Sequence, residues 1–176
     1  MLSLGGETRY EGKIIKVREE TFQYEDGSTS EREIVIHPGA VAVVAYDDLH
    51  IWLVRQPREA VGEPDLLELP AGKLDVGGES PLDAMKRELV EEIGKEASEW
   101  RELKRFYTSP GFAQEEVWVF LATGLRDVEY EPDPGERIEI VPWPVAELEA
   151  AIEECTDSKT LIGLFLFAEL RRRGET

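Results

Sequence analysis

The sequence predicts an α/β fold in which a mixed β-sheet packs between helices. Residues Ala40 to Tyr46 form a continuous apolar run, which is typical of a strand buried on both faces of a sheet. One amphipathic helix follows in the middle of the chain, between groups of predicted strands. Two further helices are predicted at the end of the chain, so helices are available to cover the sheet.

Residues 1–37 are predicted to form a small antiparallel β-sheet unit. Lys13 to Val17 and Thr21 to Tyr24 favour strands, and Asp26-Gly27 is a strong hairpin signal before a returning strand from Arg32 to His37. This unit has too little apolar surface to be stable alone, so it must pack on the main domain or on a second subunit.

The motif His37-Pro38-Gly39 marks the end of this unit, because a residue before proline is disfavoured in regular helix. Residues 38–176 are predicted to form the main domain. Its strands are expected at residues 40–46, 50–56, 100–107, 116–122 and 137–143.

The mid-chain helix has clear start and stop signals. Ser80 is a good N-cap, Pro81 suits the first helical position, and Gly94 suits a left-handed end. One apolar stripe is predicted to face the core, formed by Leu82, Met85, Leu89 and Ile93.

Two helices are predicted at the end of the chain, over Pro144 to Glu153 and over Thr160 to Arg173. The inward side chains of the first helix are predicted to be Val145, Leu148 and Ile152. Those of the second helix are predicted to be Leu161, Leu164, Phe165 and Ala168.

The composition excludes some classes of function. Twenty basic and 38 acidic side chains give 176 residues a net charge of -18, which disfavours binding to nucleic acid or to an anionic membrane. Cys155 is the one cysteine, so no internal disulfide is possible and we expect a cytoplasmic protein. We find no signal peptide and no apolar run long enough to cross a bilayer.

Three glutamates on the mid-chain helix point to chemistry. Glu88, Glu91 and Glu92 are spaced i, i+3, i+4, so their carboxylates lie on one patch beside the apolar stripe. Such a cluster of oxygen ligands suits Mg2+, or Mn2+. An acidic surface helix in an acidic protein is the alternative interpretation.

The residues around this helix resemble the Nudix box, the signature of the Nudix hydrolases. Gly72, Glu79 and Arg87 match its first positions, and the remaining positions are matched by Glu88, Leu89, Glu91, Glu92 and Gly94. Two positions depart from the box. Six residues rather than five separate Gly72 from Glu79, and Lys95 occupies the final aliphatic position.

The resemblance implies a Nudix α/β/α sandwich with a mixed β-sheet. It also implies that Glu88 and Glu92 are the chief metal ligands, with Glu91 beside them and the backbone carbonyl of Ala71 completing the set. Arg87 would then hold the carboxylates in place.

Residues beyond the box are similar to the ADP-ribose pyrophosphatase branch of this family. Pro110 stands sixteen residues after Gly94, and the stretch from Ser109 to Glu115 matches the S-P-G-x-x-x-E pattern of that branch. The resemblance implies hydrolysis of ADP-ribose to AMP and ribose 5-phosphate. It also implies substrate contacts from Pro110, Gly111 and Glu115.

The branch also carries a further carboxylate outside the box, which acts as a base or as an extra ligand. Glu136 occupies the corresponding position, and Glu139 is the second candidate. Both lie in or next to an acidic loop, which needs no function in so acidic a protein.

Further substrate contacts follow from the same resemblance. Arg58 belongs to a Q-x-R element and is expected to contact the diphosphate, although Pro57 replaces the usual aromatic residue. An ordinary surface arginine is the alternative interpretation. Arg32 and Glu33 are expected to line the adenosine pocket. Phe22 or Tyr24 could stack on adenine or simply pack within the unit.

The resemblance also implies a homodimer formed through the N-terminal strands. Two alternative functions remain open. The first is the same reaction on another nucleoside diphosphate sugar, such as GDP-mannose, or on a dinucleoside polyphosphate. The second is a non-catalytic binding module, which the complete set of box glutamates disfavours.

Overall fold

The computed structural model describes residues 1–131, 135 and 137–176. The chain divides into two compact units. The first unit contains residues 1–39 and 106–117, and the second contains residues 40–105 and 118–176. The domain boundary expected after residue 37 stays a prediction.

The first unit contains an antiparallel sheet of three strands, in the order β1-β2-β3. The strands are β1 (Leu2–Glu11), β2 (Lys16–Gln23) and β3 (Thr29–Ile36). The predicted turn is confirmed, since Gly27 has a positive φ and the Ser28 amide donates to a carboxylate oxygen of Asp26 at 3.0 Å.

Strand β1 was missed by the sequence prediction. All ten of its residues are exposed, so it has no alternation of buried and exposed side chains to reveal it. Its partner is β2, and a Cβ atom at Gly6 would overlap the Glu19 carbonyl oxygen. Close backbone approach therefore accounts for a glycine inside this strand.

The second unit is built on a mixed sheet, as predicted. Its strands, two of which extend into the first unit, are β4 (Ala40–Tyr46), β5 (His50–Arg58), β6 (Glu63–Glu68), β7 (Ala71–Lys73), β8 (Lys95–Tyr107), β9 (Glu116–Asp127) and β10 (Glu139–Pro144). Within the described residues the order is β10-β5-β4-β9-β8, with β6 paired to β5 and β7 paired to β4.

The central strand β4 is covered on both faces, which confirms the α/β/α sandwich. Its odd-numbered residues pack with helix α1 (Pro81–Ile93) in one core cluster, which includes Val41, Val43, Ala45, Met85 and Leu89. On the other face, helix α3 (Ser158–Arg173) approaches closely at Gly163. A Cβ atom there would lie 2.5 Å from a methyl group of Leu69 and 3.2 Å from Val44.

Helix α1 begins and ends as predicted. The Ser80 hydroxyl oxygen accepts the amide hydrogen of Asp83, and Gly94 adopts the left-handed conformation. Met85, Leu89 and Ile93 are buried and Leu82 packs against the core, so the predicted apolar stripe is confirmed.

The helices at the end of the chain differ in detail from the prediction. The first is divided into a 3-10 turn (Val145–Glu147) and α2 (Leu148–Glu154). In α3, the prediction that Phe165 faces inward is wrong, since it is 57% exposed while Phe167 is fully buried. The close approach of Gly163 sets the rotation of the helix, so that Thr160, Leu164 and Phe167 face the sheet.

Among the described residues, no helix combines the length and the apolar character that crossing a membrane requires.

Candidate active site

Arg87 on α1 connects three glutamates. Its Nε and Nη2 atoms donate to the two carboxylate oxygens of Glu79 at 3.2 and 3.1 Å. Its Nη1 atom donates to Glu88 at 2.9 Å and to Glu91 at 2.7 Å. The bonds to Glu79 are the main cause of a raised pKa of Arg87, with contributions from Glu88 and Glu91. The guanidinium therefore stays charged and fixes these carboxylates in space.

Glu92 and Glu88 join α1 to strand β7. Glu92 is only 5% exposed, and its Oε2 atom accepts the backbone N–H of Ala71 at 2.9 Å. Gly72 leaves room for Glu88, because a Cβ atom at position 72 would overlap the Glu88 carboxyl group. The first position of the box therefore favours glycine for a steric reason, which the sequence alone does not reveal.

The chemistry of these groups fits a hard divalent cation, because such a cation prefers oxygen ligands and the carboxylates of α1 lie beside strand β7. Within the part of the chain that the structure describes, however, no three acidic, histidine or cysteine side chains are grouped as a metal site. The three glutamates of α1 serve different partners: Arg87 binds Glu88 and Glu91, and Ala71 binds Glu92.

A buried charge network lies directly before β7, and the sequence analysis did not identify it. Glu68 is fully buried and pairs with two cations, Arg58 and Lys159. Lys159 also pairs with Asp157 at 3.0 Å. The one signal in the sequence is a charged residue inside the apolar run from Leu66 to Leu69, a position where glutamate is rarely buried without partners.

Asp157 caps α3 and extends this network to the backbone that precedes β7. Its carboxylate accepts hydrogen bonds from the Thr160 amide and hydroxyl, and the Thr160 hydroxyl oxygen accepts the Leu69 amide hydrogen at 2.9 Å. Burial raises the pKa of Asp157, but the charge of Lys159 and the bonds from Thr160 outweigh it and leave the pKa lowered. Asp157 is therefore ionised at neutral pH.

The guanidinium of Arg58, the predicted diphosphate contact, binds the carboxylate of Glu68. Its Nη2 atom donates to Glu68 Oε2 at 2.7 Å, and its Nε atom donates to Oε1. The bond to Glu68 is the main cause of the raised pKa of Arg58, and the charges of Asp157 and Glu92 add to it. The negative charge of Glu92, a candidate metal ligand, therefore acts on Arg58.

The predicted adenosine contacts lie in the first unit. Arg32 donates to the backbone oxygen of Glu31 at 2.8 Å and to the Tyr24 hydroxyl oxygen at 3.3 Å. Glu33 lies on β3, opposite Glu19 of β2. Tyr24 therefore contacts Arg32, a predicted substrate-binding residue, and helps to orient its side chain.

The loop that carries Pro110 and Gly111 is bonded to β3 of the same unit. The Val35 amide donates to the Phe112 carbonyl at 2.7 Å, and the Gln114 amide donates to the Val35 carbonyl at 2.8 Å. Glu115 accepts the Thr108 hydroxyl hydrogen at 2.8 Å and lies 3.4 Å from His37. The structure thus brings Pro110, Gly111 and Glu115 into one unit with Arg32 and Glu33.

Of the two candidate bases, Glu136 lies outside the described residues. Glu139 is the first residue of β10, is exposed and faces Arg55 of β5 in register. The chain before Glu136 is attached to the end of α1, since the Val128 amide donates to the Gly94 carbonyl at 3.0 Å. A Cβ atom at Gly94 would also overlap the ring of Tyr130, so this glycine is required for close approach as well as for its positive φ.

Lys95, which replaces the last aliphatic residue of the box, has a structural role. Its ammonium group lies 3.7 Å from the centre of the Trp52 ring and pairs with Asp127, and the residue is 7% exposed. The methylene groups of a lysine can fill an apolar site while its charge is met by a ring and a carboxylate. This departure from the box therefore leaves the glutamates of α1 in place.

Comparisons with known proteins agree with this geometry. The NUDIX domain model matches residues 35–162. An ADP-ribose pyrophosphatase of Bacillus subtilis is 40% identical over 90% of this chain and 87% of its own. One from Mycobacterium tuberculosis is 46% identical over 72% of this chain, and that match spans 61% of the relative's length. The crystal structure of an ADP compounds hydrolase superposes with a TM-score of 0.86 at 26% identity, covering 99% of this chain and 96% of that one.

Proposed function

The chain belongs to the NUDIX family, and from this premise we propose that it hydrolyses the diphosphate linkage of ADP-ribose to give AMP and ribose 5-phosphate. The observation that carries the proposal is the contact of α1 with β7. There, Arg87 orders Glu79, Glu88 and Glu91, while Glu92 is bound to Ala71. The two ADP-ribose pyrophosphatases among the relatives support the choice of substrate.

The oxygens of Glu88, Glu91 and Glu92, with the backbone carbonyl of Ala71, would hold Mg2+, with Mn2+ as a substitute. When bound, such ions neutralise charge on a diphosphate and acidify a water molecule. Arg87 orients the carboxylates of Glu88 and Glu91, which lowers the free energy needed to assemble the site.

The other predicted site residues would bind the substrate and accept a proton. Arg58 contacts the diphosphate, and Glu136 removes a proton from the attacking water, with Glu139 as the second candidate. In the first unit, the proposed adenosine contacts are Arg32 and Glu33, and the further proposed substrate contacts are Pro110, Gly111 and Glu115.

We further propose a homodimer formed through the N-terminal strands. The apolar side chains of Leu2, Leu4 and Tyr10 on β1 are all more than half exposed, which supports a partner surface on this strand. The strongly negative charge and the single cysteine support a cytoplasmic protein that binds neither nucleic acid nor membrane.

A substrate panel tests the proposed function. The purified protein is incubated with Mg2+ and ADP-ribose, GDP-mannose or a dinucleoside polyphosphate, and the products are separated by chromatography. We expect ADP-ribose to be cleaved with the highest kcat/KM and to yield AMP. Faster turnover of GDP-mannose would reassign the substrate, and no turnover of any diphosphate would favour a binding module.

A further inference from the structure

Glu68 is a buried acidic residue that the proposed reaction does not use. It is fully buried between Leu67 and Leu69, yet its carboxylate pairs with both Arg58 and Lys159. Burying such charges costs desolvation free energy, and apolar replacements of buried ion pairs are often as stable. Stability alone is therefore a weak reason for glutamate at this position.

Glu68 fixes the orientation of Arg58. Its two carboxylate oxygens bind the Nε and Nη2 atoms, which is the bidentate arrangement that a guanidinium favours. A guanidinium has five N–H donors, and within the described residues the Nη1 atom of Arg58 makes no hydrogen bond. The Arg58 side chain is 41% exposed, so a second donor edge remains accessible to a ligand.

Arg58 is bound by a residue that lies close along the chain to a partner of the box carboxylates. Three residues after Glu68, the Ala71 amide donates to Glu92. The negative charge of Glu92 also contributes to the raised pKa of Arg58, after the bond to Glu68 and the charge of Asp157. One short stretch of chain therefore carries both Glu68, which binds the Arg58 guanidinium, and Ala71, whose amide binds the box glutamate Glu92.

Gln56 adds a second donor near Arg58. Its Nε2 atom is buried and has no hydrogen-bond partner among the described residues. The register of β5 and β6 pairs Val54 with Glu68, and strand alternation places Gln56 on the same face as Val54. Leaving a buried donor unpaired costs free energy, which a ligand oxygen would recover.

We propose that Glu68 is a positioning residue that holds Arg58 in the orientation that binds the substrate diphosphate, and that Gln56 donates a further hydrogen bond to the same group. The inference rests on the proposed function, because that function supplies the nucleoside diphosphate as ligand. Lys159 compensates the remaining charge of Glu68 and ties it to the start of α3.

A double-mutant cycle on ligand binding tests this role. The Kd of ADP, which carries the diphosphate, is measured by calorimetry with Mg2+ in the wild-type protein, Glu68→Gln, Arg58→Lys and the double variant. Arg58→Lys keeps a cation on Glu68, so it preserves folding but removes the second donor edge. We expect each single variant to weaken ADP binding about tenfold, and Glu68→Gln to have little further effect in the Arg58→Lys background.

Equal effects of Glu68→Gln in both backgrounds, or full ADP affinity in either single variant, would overturn the positioning role. Lys95→Met is the matched control, because it removes another buried charge from the same unit. It is expected to change the Tm without any coupling to Arg58. If Glu68→Gln does not fold, Glu68→Asp takes its place in the cycle, because it keeps the negative charge but is too short to hold Arg58 in the same orientation.

Gln56→Met separates a binding role from a structural one. It removes the unpaired amide, so we expect the Tm of the free protein to stay constant or rise while ADP binding weakens. Unchanged affinity would exclude Gln56 from the site. Because the readout is binding, failure of the proposed function is recognised separately, as wild-type protein that binds ADP without cleaving ADP-ribose. Wild-type protein that does not bind ADP would overturn the inference.

Discussion

Glu92 lies almost fully buried on α1, and one of its carboxylate oxygens accepts the amide hydrogen of Ala71. Its neighbours Glu88 and Glu91 are instead bound by Arg87. Side chains one helical turn apart therefore have different partners, which keeps three negative charges close together on one helix. The proposed role of each follows from its partner.

Replacing Glu92 by glutamine should abolish turnover and leave the fold intact. Glutamine keeps an acceptor for the Ala71 amide but loses the charge that a divalent cation requires. We expect kcat/KM for ADP-ribose to fall about 100-fold or more, with little change in Tm. Glu96→Gln on β8 is the control, since Glu96 pairs with Arg126 on the surface. Hydrolysis at the wild-type rate by Glu92→Gln would refute the ligand assignment.

Gly72→Ala should damage the site more than it damages stability. The new methyl group would overlap the carboxyl group of Glu88, which is the end of a flexible side chain and can move away. We expect weaker Mn2+ binding, measured by calorimetry, and a loss of unfolding free energy of only about 1 kcal/mol. Gly77→Ala, in the loop that follows β7, is a matched control, because a Cβ atom there meets nothing within 4 Å. Equal Mn2+ affinity in both variants would argue against a role for Glu88.

At the scale of secondary-structure elements, α3 is held at its start by Asp157 and along its length by Gly163 and Phe167. The helix ends at Arg173 as predicted and begins at Ser158, two residues before the predicted start. Its inward face differs from the prediction, because its sequence carries apolar residues on more than one face. Packing against β4 chooses among these faces, and periodicity alone does not.

The observed rotation of α3 predicts that substitutions of its two phenylalanines differ strongly in their effect on stability. Phe167→Ala should cost about 3–5 kcal/mol of unfolding free energy, because it creates a cavity in a fully buried site. Phe165→Ala should cost only about 0.5 kcal/mol, since that side chain is more than half exposed. Urea unfolding of the two variants measures the difference, and similar losses would place both side chains in the core.

The cap of α3 should make stability depend on pH in the acid range. The pKa of Asp157 is lowered in the folded state, so its contribution is present above the unfolded pKa of about 3.9 and is lost as the pH falls through the lower folded-state pKa. Asp157→Asn keeps a capping oxygen but removes the charge that Lys159 pairs with. At neutral pH we expect a loss of about 1–3 kcal/mol of unfolding free energy. Denaturant titrations over a pH series should show this loss shrinking in acid, whereas a constant difference would contradict the charge pairing.

On the scale of the whole molecule, the chain carries a net charge of -18 and an N-terminal sheet with an exposed first strand. Such a charge opposes association, so a dimer must bury apolar side chains to form. The exposed side chains of Leu2, Leu4 and Tyr10 on β1 are the available apolar groups.

Light scattering should therefore give a mass of about twice the 19.9 kDa of one chain. A variant with Leu2 and Leu4 replaced by serine should shift the mass toward that of one chain, because it removes apolar area from β1. Replacement of exposed Val61 by serine in the second unit serves as control. A single-chain mass for the wild-type protein at working concentration would rule out the homodimer.

The sequence by itself determined the family, the ends of α1, the central strand β4 and the hairpin at Gly27. Each depends on residues that are close along the chain, where caps, turns and periodicity act directly. It did not reveal β1, the rotation of α3 or the reason for Gly72. Tertiary structure also decided that Glu68 is buried with Arg58 and Lys159, which lie 10 and 91 residues away along the chain. Burial and charge pairing over such distances are properties of the packed molecule, because they depend on which surfaces the fold brings together.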